Sequence, residues 1–268
     1  MAQKKRENRN RENRNNKNRD KQAKARQGRA EHKTAPLVKA REVSAEEFYK
    51  HFIENRTRIG KYQSWKTDLY SLKDYKQMEA EGAKFYLTEN NSTLAVKANG
   101  EMISLVRGKN KKENLHGFVA YAEKQDGRFF TCYGSYERFF KECGCIRIKT
   151  DPWKEELAPS DWKPEYKTEP VISFITKEES VRVIELLKDR FKLKRHLSKK
   201  DIAELYPLVY KYEQLHEAFS ADAPEMKDVL ADAGEVVNAQ KDVSKAVREI
   251  NTRGHGPQNK GVGIGIGD

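Results

Sequence analysis

The sequence predicts a mixed α/β (α+β) domain, an antiparallel meander joined to a parallel crossover, set behind a disordered basic arm and followed by helices. Three observations predict it. Between Ala83 and Arg107 three short apolar runs are separated by turn signals. The strongest of these is Asn99-Gly100, where both positions accept positive φ. From Glu101 to Thr150 strand and helix patterns then alternate, which implies a parallel crossover beside the meander. Finally, residues 1–34 hold 13 Lys/Arg against 4 Asp/Glu, so a net +9 of the chain's +12 sits in the arm.

The elements follow in order. The arm has no aliphatic side chain larger than Ala between Met1 and Thr34. It therefore buries too little surface to offset an ordering entropy of about 1–2 kcal/mol per residue. Order is expected from about Val43. Ser44 with Glu47 forms a capping-box pattern ahead of Phe48, Tyr49, Phe52 and Ile53. A second helix is expected near Tyr70–Ala80, ending at Gly82. Strands are expected over Ala83–Thr88, Thr93–Ala98 and Glu101–Arg107. A polar loop then leads to Leu115, Phe118, Val119 and Ala122, whose i, i+3, i+4, i+7 spacing marks an amphipathic helix ending at Gly127. Arg128–Tyr133 reads as a strand, Ser135–Cys143 as a short helix, and Cys145–Thr150 and Pro170–Ile175 as the last strands. Beyond Ile175 the pattern is helical: Thr176 with Glu179 as a capping box, then Ser198 capping a helix that Pro207 is expected to kink or restart, then a weaker helix over Ala223–Ile250. The alternating Gly tail reads as disordered. The expected division is 1–38 arm, 39–178 α/β domain, 179–250 helical region and 251–268 tail.

Composition narrows the function. Hydrophobic content of 37% and charged content of 35% leave part of the chain thinly packed. No 18-residue apolar run is present to span a bilayer, and the basic N-terminus lacks the apolar run of a secretory signal. Cys132, Cys143 and Cys145 form no CxxC pair. That suits a reducing, cytoplasmic setting and argues against a zinc ribbon, so no metal is expected. An Arg/Asn-rich arm resembles segments that fold onto RNA, and residues 4–34 are expected to contact nucleic acid or another polyanion through phosphate neutralisation.

Three segments together carry a resemblance: AKFYLTENNSTLAVKANGEMISLVRG, RFFTCYGSYERFFKECGCIRIKTDPW, and EELAPSDW followed by EPVISFI. Their order resembles that of the GNAT (N-acetyltransferase-like) superfamily, and is most similar to GNAT-like proteins of bacteriophages and mobile elements, over about half the chain. The resemblance implies two central parallel strands that splay to leave a cleft, with acetyl-CoA held by a loop opening a helix. It implies direct attack of an amine on the thioester, with an acid to protonate the departing thiolate.

Carried over residue by residue, the resemblance places cofactor contacts at Leu105, Val106, Arg107, Lys109, Asn110, Lys111, Lys112, Asn114, Leu115, His116 and Gly117. This loop lacks the family's tight Gly-x-Gly, so the lysines would supply the phosphate charge. The family's acid position falls on Phe140, which has no proton to donate. Tyr136 and Tyr133 are the alternative acids, His116 a candidate base, and Glu101 and Glu113 further possible bases. The expected function is acetyl transfer to an amine. The alternatives are a non-catalytic GNAT-like scaffold or virion-associated protein bound to nucleic acid through its arm, and a transferase that modifies nucleic acid.

Overall fold

The computed structural model describes residues 38–67, 69–221 and 226–253, with side chains other than those of residues 157 and 219–233. The expected arm and Gly-rich tail lie outside the described residues. Those described belong to one compact unit that begins at Val38.

Among the described residues seven strands form two antiparallel sheets: β1 (Ala40–Val43), β2 (Lys84–Thr88), β3 (Thr93–Val96) and β4 (Met102–Val106) in sequential order, and β5 (Phe129–Tyr133), β7 (Val171–Ile175) and β6 (Ile146–Asp151) with β7 in the middle. The helices are α1 (Ala45–Ile59), α2 (Lys61–Ser64), α3 (Leu72–Ala80), α4 (Leu115–Glu123), α5 (Glu137–Glu142), α6 (Lys177–Phe191), α7 (Lys199–Ala221) and α8 (Met226–Thr252). The α+β class and the order of meander, helix, strand, short helix and final strands are those the sequence predicts.

Caps and apolar faces explain the local choices. Ser44 accepts from the Glu47 N–H and starts α1, but the expected capping box stays open, because the Glu47 carboxylate binds Arg41 instead. The inward face of α1, Ala45, Phe48 and Phe52, packs with Tyr75 of α3 against Phe85, Leu87 and Ile103 on one face of the first sheet. The other face meets α4 through Tyr86, Leu94, Phe118 and Val119, and this core runs on to Phe130, Phe140 and Phe174 of the second sheet. The C-terminal helices bury their own stripe, Val183, Leu187, Leu205, Val209, Val243 and Val247, against Ile146 and Ile175. Burial of a Val, Leu or Phe side chain contributes roughly 1.5–3 kcal/mol, so these stripes fix α6–α8 to the sheet.

Four further local expectations are corrected. Order begins earlier than Val43: β1 pairs antiparallel with β2, Ala40 opposite Thr88 and Val43 opposite Phe85. The Asn99-Gly100 turn has positive φ at Gly100 alone, +86°. The Gly100 N–H donates to the Lys97 carbonyl and the Lys97 N–H to the Glu101 carbonyl, which is a type I turn closed by a glycine bulge. Pro207 does not restart its helix, which runs from Lys199 to Ala221 with the proline inside it. Thr176 caps α6 through the Glu179 N–H, but the Glu179 side chain does not return to close the box, because two arginines hold it.

Strands β4 and β5 carry the geometry on which the site depends. Helix α4 connects them, and they run parallel, but they meet at one place, the bridge between Glu101 and Phe129. The Arg128 N–H donates to the Gly100 carbonyl at 2.7 Å beside it. Beyond that bridge no strand pairing joins β4 to β5 among the described residues, and the two sheets open away from each other like a V.

Candidate active-site cleft

A cavity of about 380 Å³ fills the V. All seven consecutive residues from Glu101 to Arg107 line it. Successive strand residues point to opposite faces, so an unbroken run can face a cavity only if the cavity looks onto the strand's edge. The edge of β4 that would have continued pairing with β5 is the one exposed to it. Across the gap stand Phe130, Thr131 and Cys132 of β5. Leu115, Val119, Phe139 and Phe140 give an apolar wall, and Gln63, Lys66 and Thr67, after α1, give a polar one.

Ser104, at the middle of β4, has φ +56° and is buried. The register between β3 and β4 slips here, between Thr93 and Ala95, so the strand carries a bulge. Two hydrogen bonds hold it: the Ser104 and Tyr75 hydroxyls lie 2.8 Å apart, and the Thr93 hydroxyl donates to the Ser104 carbonyl at 3.0 Å. The bulge bends β4 along the cleft.

At the open end three segments converge on one ion pair. The Lys66 ammonium lies 2.5 Å from Glu169 and 3.0 Å from the Ser135 hydroxyl, and it sits over the Tyr136 ring at 5.7 Å. Glu169 also accepts from the Ser135 backbone N–H at 2.7 Å, so it holds the short 3₁₀ turn Gly134–Tyr136 that follows β5. Both charged side chains are only 12% exposed. Burial pushes the Glu169 carboxyl up, but the hydrogen bonds from Lys66 and Ser135 more than offset it and leave it below the ordinary glutamate value. Burial, with Glu169 and Cys132 nearby, raises the Tyr136 phenol. Burial also pushes the Cys132 thiol up to about 12, so it is no thiolate nucleophile at neutral pH.

The residues expected from the sequence fall into three groups. Leu105, Val106, Arg107, Leu115 and Tyr136 all line the cleft. Tyr133 packs instead into an aromatic cluster, 4.8 Å from Trp65 and 6.1 Å from Trp153. His116 lies against Phe139, with Glu142 at 3.7 Å. Phe140 packs on Phe130 at 4.2 Å and forms part of the apolar wall. Of the two carboxylates considered as bases, Glu101 lines the cleft and binds Lys97 at 2.9 Å, whereas Glu113 is buried and bonded to Ser92 and Asn90.

The loop from Arg107 to Gly117 is largely closed on the protein itself. The Gly108 N–H donates to the Ser92 hydroxyl and the Lys109 N–H to the Asn90 carbonyl. Gly108 lies so near the β2–β3 turn that a Cβ there would stand 1.9 Å from the Asn90 carbonyl oxygen. Asn110 accepts from the N–H groups of Lys112 and Glu113, and Asn114 caps α4 by accepting from Gly117. Among the described residues, the Asn110, Lys111 and His116 N–H groups are left without a protein acceptor. Arg107 binds the Lys111 carbonyl, and Lys109, Lys111 and Lys112 form no ion pair with a carboxylate among the described residues.

Sequence reasoning missed Lys66, Glu169 and Ser104. Lys66 follows the buried Trp65 in a stretch without periodicity, and Glu169 sits in a loop, so neither position carried a signal. Among the described residues no group of three or more His, Cys, Asp or Glu is placed to hold a metal ion, and no helix is long and apolar enough to cross a membrane.

No family model and no curated protein matches the sequence. Among solved structures, one match is an acetyltransferase of the GNAT family from Staphylococcus aureus Mu50. It is 12% identical with a TM-score of 0.32, and the match covers 53% of this chain and 100% of that one. A likeness of that size adds nothing to what the strand geometry establishes.

Proposed function

We propose that the cleft between β4 and β5 binds acetyl-CoA and that the protein is a GNAT-like N-acetyltransferase acting on an amine. The observation that carries this reading is the V itself: two parallel strands joined at Glu101–Phe129 and then separated, with the free edge of β4 lining the gap along seven residues. An unpaired strand edge offers N–H and C=O groups at regular spacing, to which an extended amide chain can add as a further strand would. The pantetheine arm of acetyl-CoA is such a chain. Its phosphates would meet the side chains of Arg107, Lys109, Lys111 and Lys112 at the start of α4, since few loop N–H groups remain to cradle them. Bound there, acetyl-CoA would supply an activated acetyl thioester.

The chain's own residues supply the rest. The apolar wall excludes water. Tyr136, whose phenol stays protonated at neutral pH, holds a proton at the cleft, and the Lys66 ammonium beside it holds positive charge for a departing anion. Glu169 fixes both by bonding Lys66 and the Ser135 N–H.

Titration of the full chain with acetyl-CoA tests this. Saturation at about 100 times Kd should contribute about 2.7 kcal/mol and raise the Tm by about 5 °C. No shift at millimolar cofactor would end the reading. The closed loop and the apolar Phe140 favour a second reading, a GNAT-like scaffold without turnover, tethered to nucleic acid by residues 4–34. It predicts no acetyl-CoA hydrolysis or transfer and loss of polyanion binding when residues 1–34 are removed.

A further inference from the structure

We propose that the folded body carries a nucleic-acid backbone-binding surface of its own, where the C-terminal end of α6 and the α6–α7 connection meet α8. Residues 188–200 contain seven Lys/Arg and one acidic residue, Asp189. That excess of +6 is larger than the net +3 of everything beyond residue 34, so the remainder of the body is net negative, at −3.

The structure adds α8 to this segment. A groove of about 540 Å³ runs between them, lined by four cations, Arg190, Lys192, Lys241 and Arg248, and by no carboxylate. Val237, Lys241, Ser244 and Arg248 are spaced i, i+4, i+7 and i+11, which is one face of α8. Their counterparts across the groove are fixed in place. The Asn251 amide accepts from the Lys194 N–H at 3.1 Å, and the Arg195 guanidinium donates to the Ile250 carbonyl at 3.0 Å. The connection is thus strapped to the end of α8, and the cations on both sides form one surface.

Ordinary helix energetics account for only part of this charge. Lys188 and Arg190 lie in the last turn of α6, where cations complement the helix dipole, and Arg195 does the same for α8. Lys241, Lys245 and Arg248 stand before the last turn of α8, where the dipole offers little. Lys199 and Lys200 open α7, where positive charge is unfavourable. Lys200 reaches Glu204 at 3.8 Å. Lys188, Arg190, Lys192, Lys194, Lys241, Lys245 and Arg248 form no ion pair with a carboxylate among the described residues. The carboxylates nearest to the groove residues in sequence, Glu185, Asp189, Glu235, Asp242 and Glu249, lie outside the groove lining.

A polyphosphate backbone is the ligand that such a surface fits. The exposed apolar side chain in the groove, Val237, is single, so the surface lacks the apolar face that an interfacial membrane contact buries. Phe191 also lines the groove, but it packs edge-on against Tyr212 at 5.4 Å, so binding would neutralise phosphates without reading sequence.

The test uses the full chain and a fluorescein-labelled 20-base-pair DNA duplex, with anisotropy measured from 50 to 300 mM salt. One variant neutralises the surface (Lys192→Gln, Lys241→Gln, Lys245→Gln and Arg248→Gln). A control removes the same charge from exposed positions elsewhere (Lys50→Gln, Lys73→Gln, Lys84→Gln and Lys163→Gln). The surface variant should reduce the slope of log K against log salt by up to about 3.6, since each of the four phosphate contacts contributes about 0.9, while the control leaves the slope unchanged. All eight side chains are exposed, and thermal melts would verify folding. Equal slopes for the two variants, no binding by the full chain, or a charge dependence seen with phosphatidylserine vesicles and not with the duplex would each overturn the proposal. The result is independent of acetyl-CoA titration, so either reading can fail alone.

Discussion

The hydroxyl of Ser104 lies 2.8 Å from the phenol of Tyr75, and the bond ties the bulged middle of β4 to α3. Ser104 has φ +56°, a region that costs an L residue roughly 1–2 kcal/mol. The strain is offset by this bond and by the bond from Thr93 to its carbonyl.

Substitutions at Ser104 should therefore separate backbone from side chain. Ser104→Gly relieves the φ penalty and loses one hydrogen bond, two effects of about 1 kcal/mol each and opposite sign. Its stability should stay within about 1 kcal/mol of the parent. Ser104→Val adds β-branching at positive φ and loses the bond, so it should cost about 2–3 kcal/mol. Urea unfolding midpoints at neutral pH measure both; equal losses would show that the bulge is not strained.

The pair Lys66–Glu169 should matter to stability as well as to the cleft. Removing one partner leaves a charge in a site that is largely closed to water. Lys66→Met is expected to cost about 2 kcal/mol, and Lys66→Met with Glu169→Met together less than the sum of the single changes. The pair also predicts a pH dependence. The folded Glu169 carboxyl lies below its ordinary value, so its contribution is complete above the unfolded value near 4.3 and is lost as pH falls through the folded value. Between pH 6 and pH 3 the parent should lose stability that Glu169→Gln does not lose. Parallel curves for the two proteins would remove Glu169 from the account.

What could be read in the sequence follows from where the information lies. Helices α1, α4 and α6 announce themselves by caps and spacing, because those signals are local. The meander is legible from its turns for the same reason. Strand β1 is not, since Ala-Arg-Glu-Val offers only Ala40 and Val43 half-buried at a sheet edge. Of the site, β4 and the start of α4 were in view because they are consecutive. Lys66 and Glu169 meet across 103 residues, and neither segment has a pattern of its own. The dipeptide does not decide the Asn99 conformation, because a type I turn with a glycine bulge and a type I′ turn both use Asn-Gly. Glycine alone needs positive φ in the former.

Cysteine chemistry gives a separate check on the cleft. Cys132 lines it with a thiol near 12, and Cys143 is pushed equally high by burial. At pH 8 both should react with iodoacetamide far more slowly than in urea, by a factor on the order of 100 or more, since the thiolate is the reacting form. Mass spectrometry of tryptic peptides resolves the sites. If acetyl-CoA occupies the cleft, it should slow labelling at Cys132 further and leave Cys143 unchanged. Protection at Cys143 alone would place the ligand elsewhere.

Glu179 shows how the C-terminal helices bear on the closed end of the V. Its side chain is 1% exposed, and it accepts from Arg128 at 3.1 Å and from Arg182 at 2.7 Å through both oxygens. Glu213 of α7 completes the ring, 3.6 Å from Arg128 and 2.5 Å from Arg182. Arg128 is the residue whose N–H donates to Gly100 beside the Glu101–Phe129 bridge, and its side chain occupies the space a Cβ on Gly100 would need, 2.6 Å from Cδ. Two perturbations should thus converge. Glu179→Ala leaves two buried or half-buried guanidinium groups short of a partner and should cost about 3–5 kcal/mol. Gly100→Ala adds strain at φ +86° and displaces Arg128, so it should cost more than about 1 kcal/mol. If the ring holds the bridge, the double variant should lose less than the sum, because the first change already frees Arg128. Hydrogen exchange should show the Arg128 amide losing protection in each single variant. An Arg128 amide that stays protected in Glu179→Ala would mean that the helices pack on the sheet without fixing the angle of the cleft.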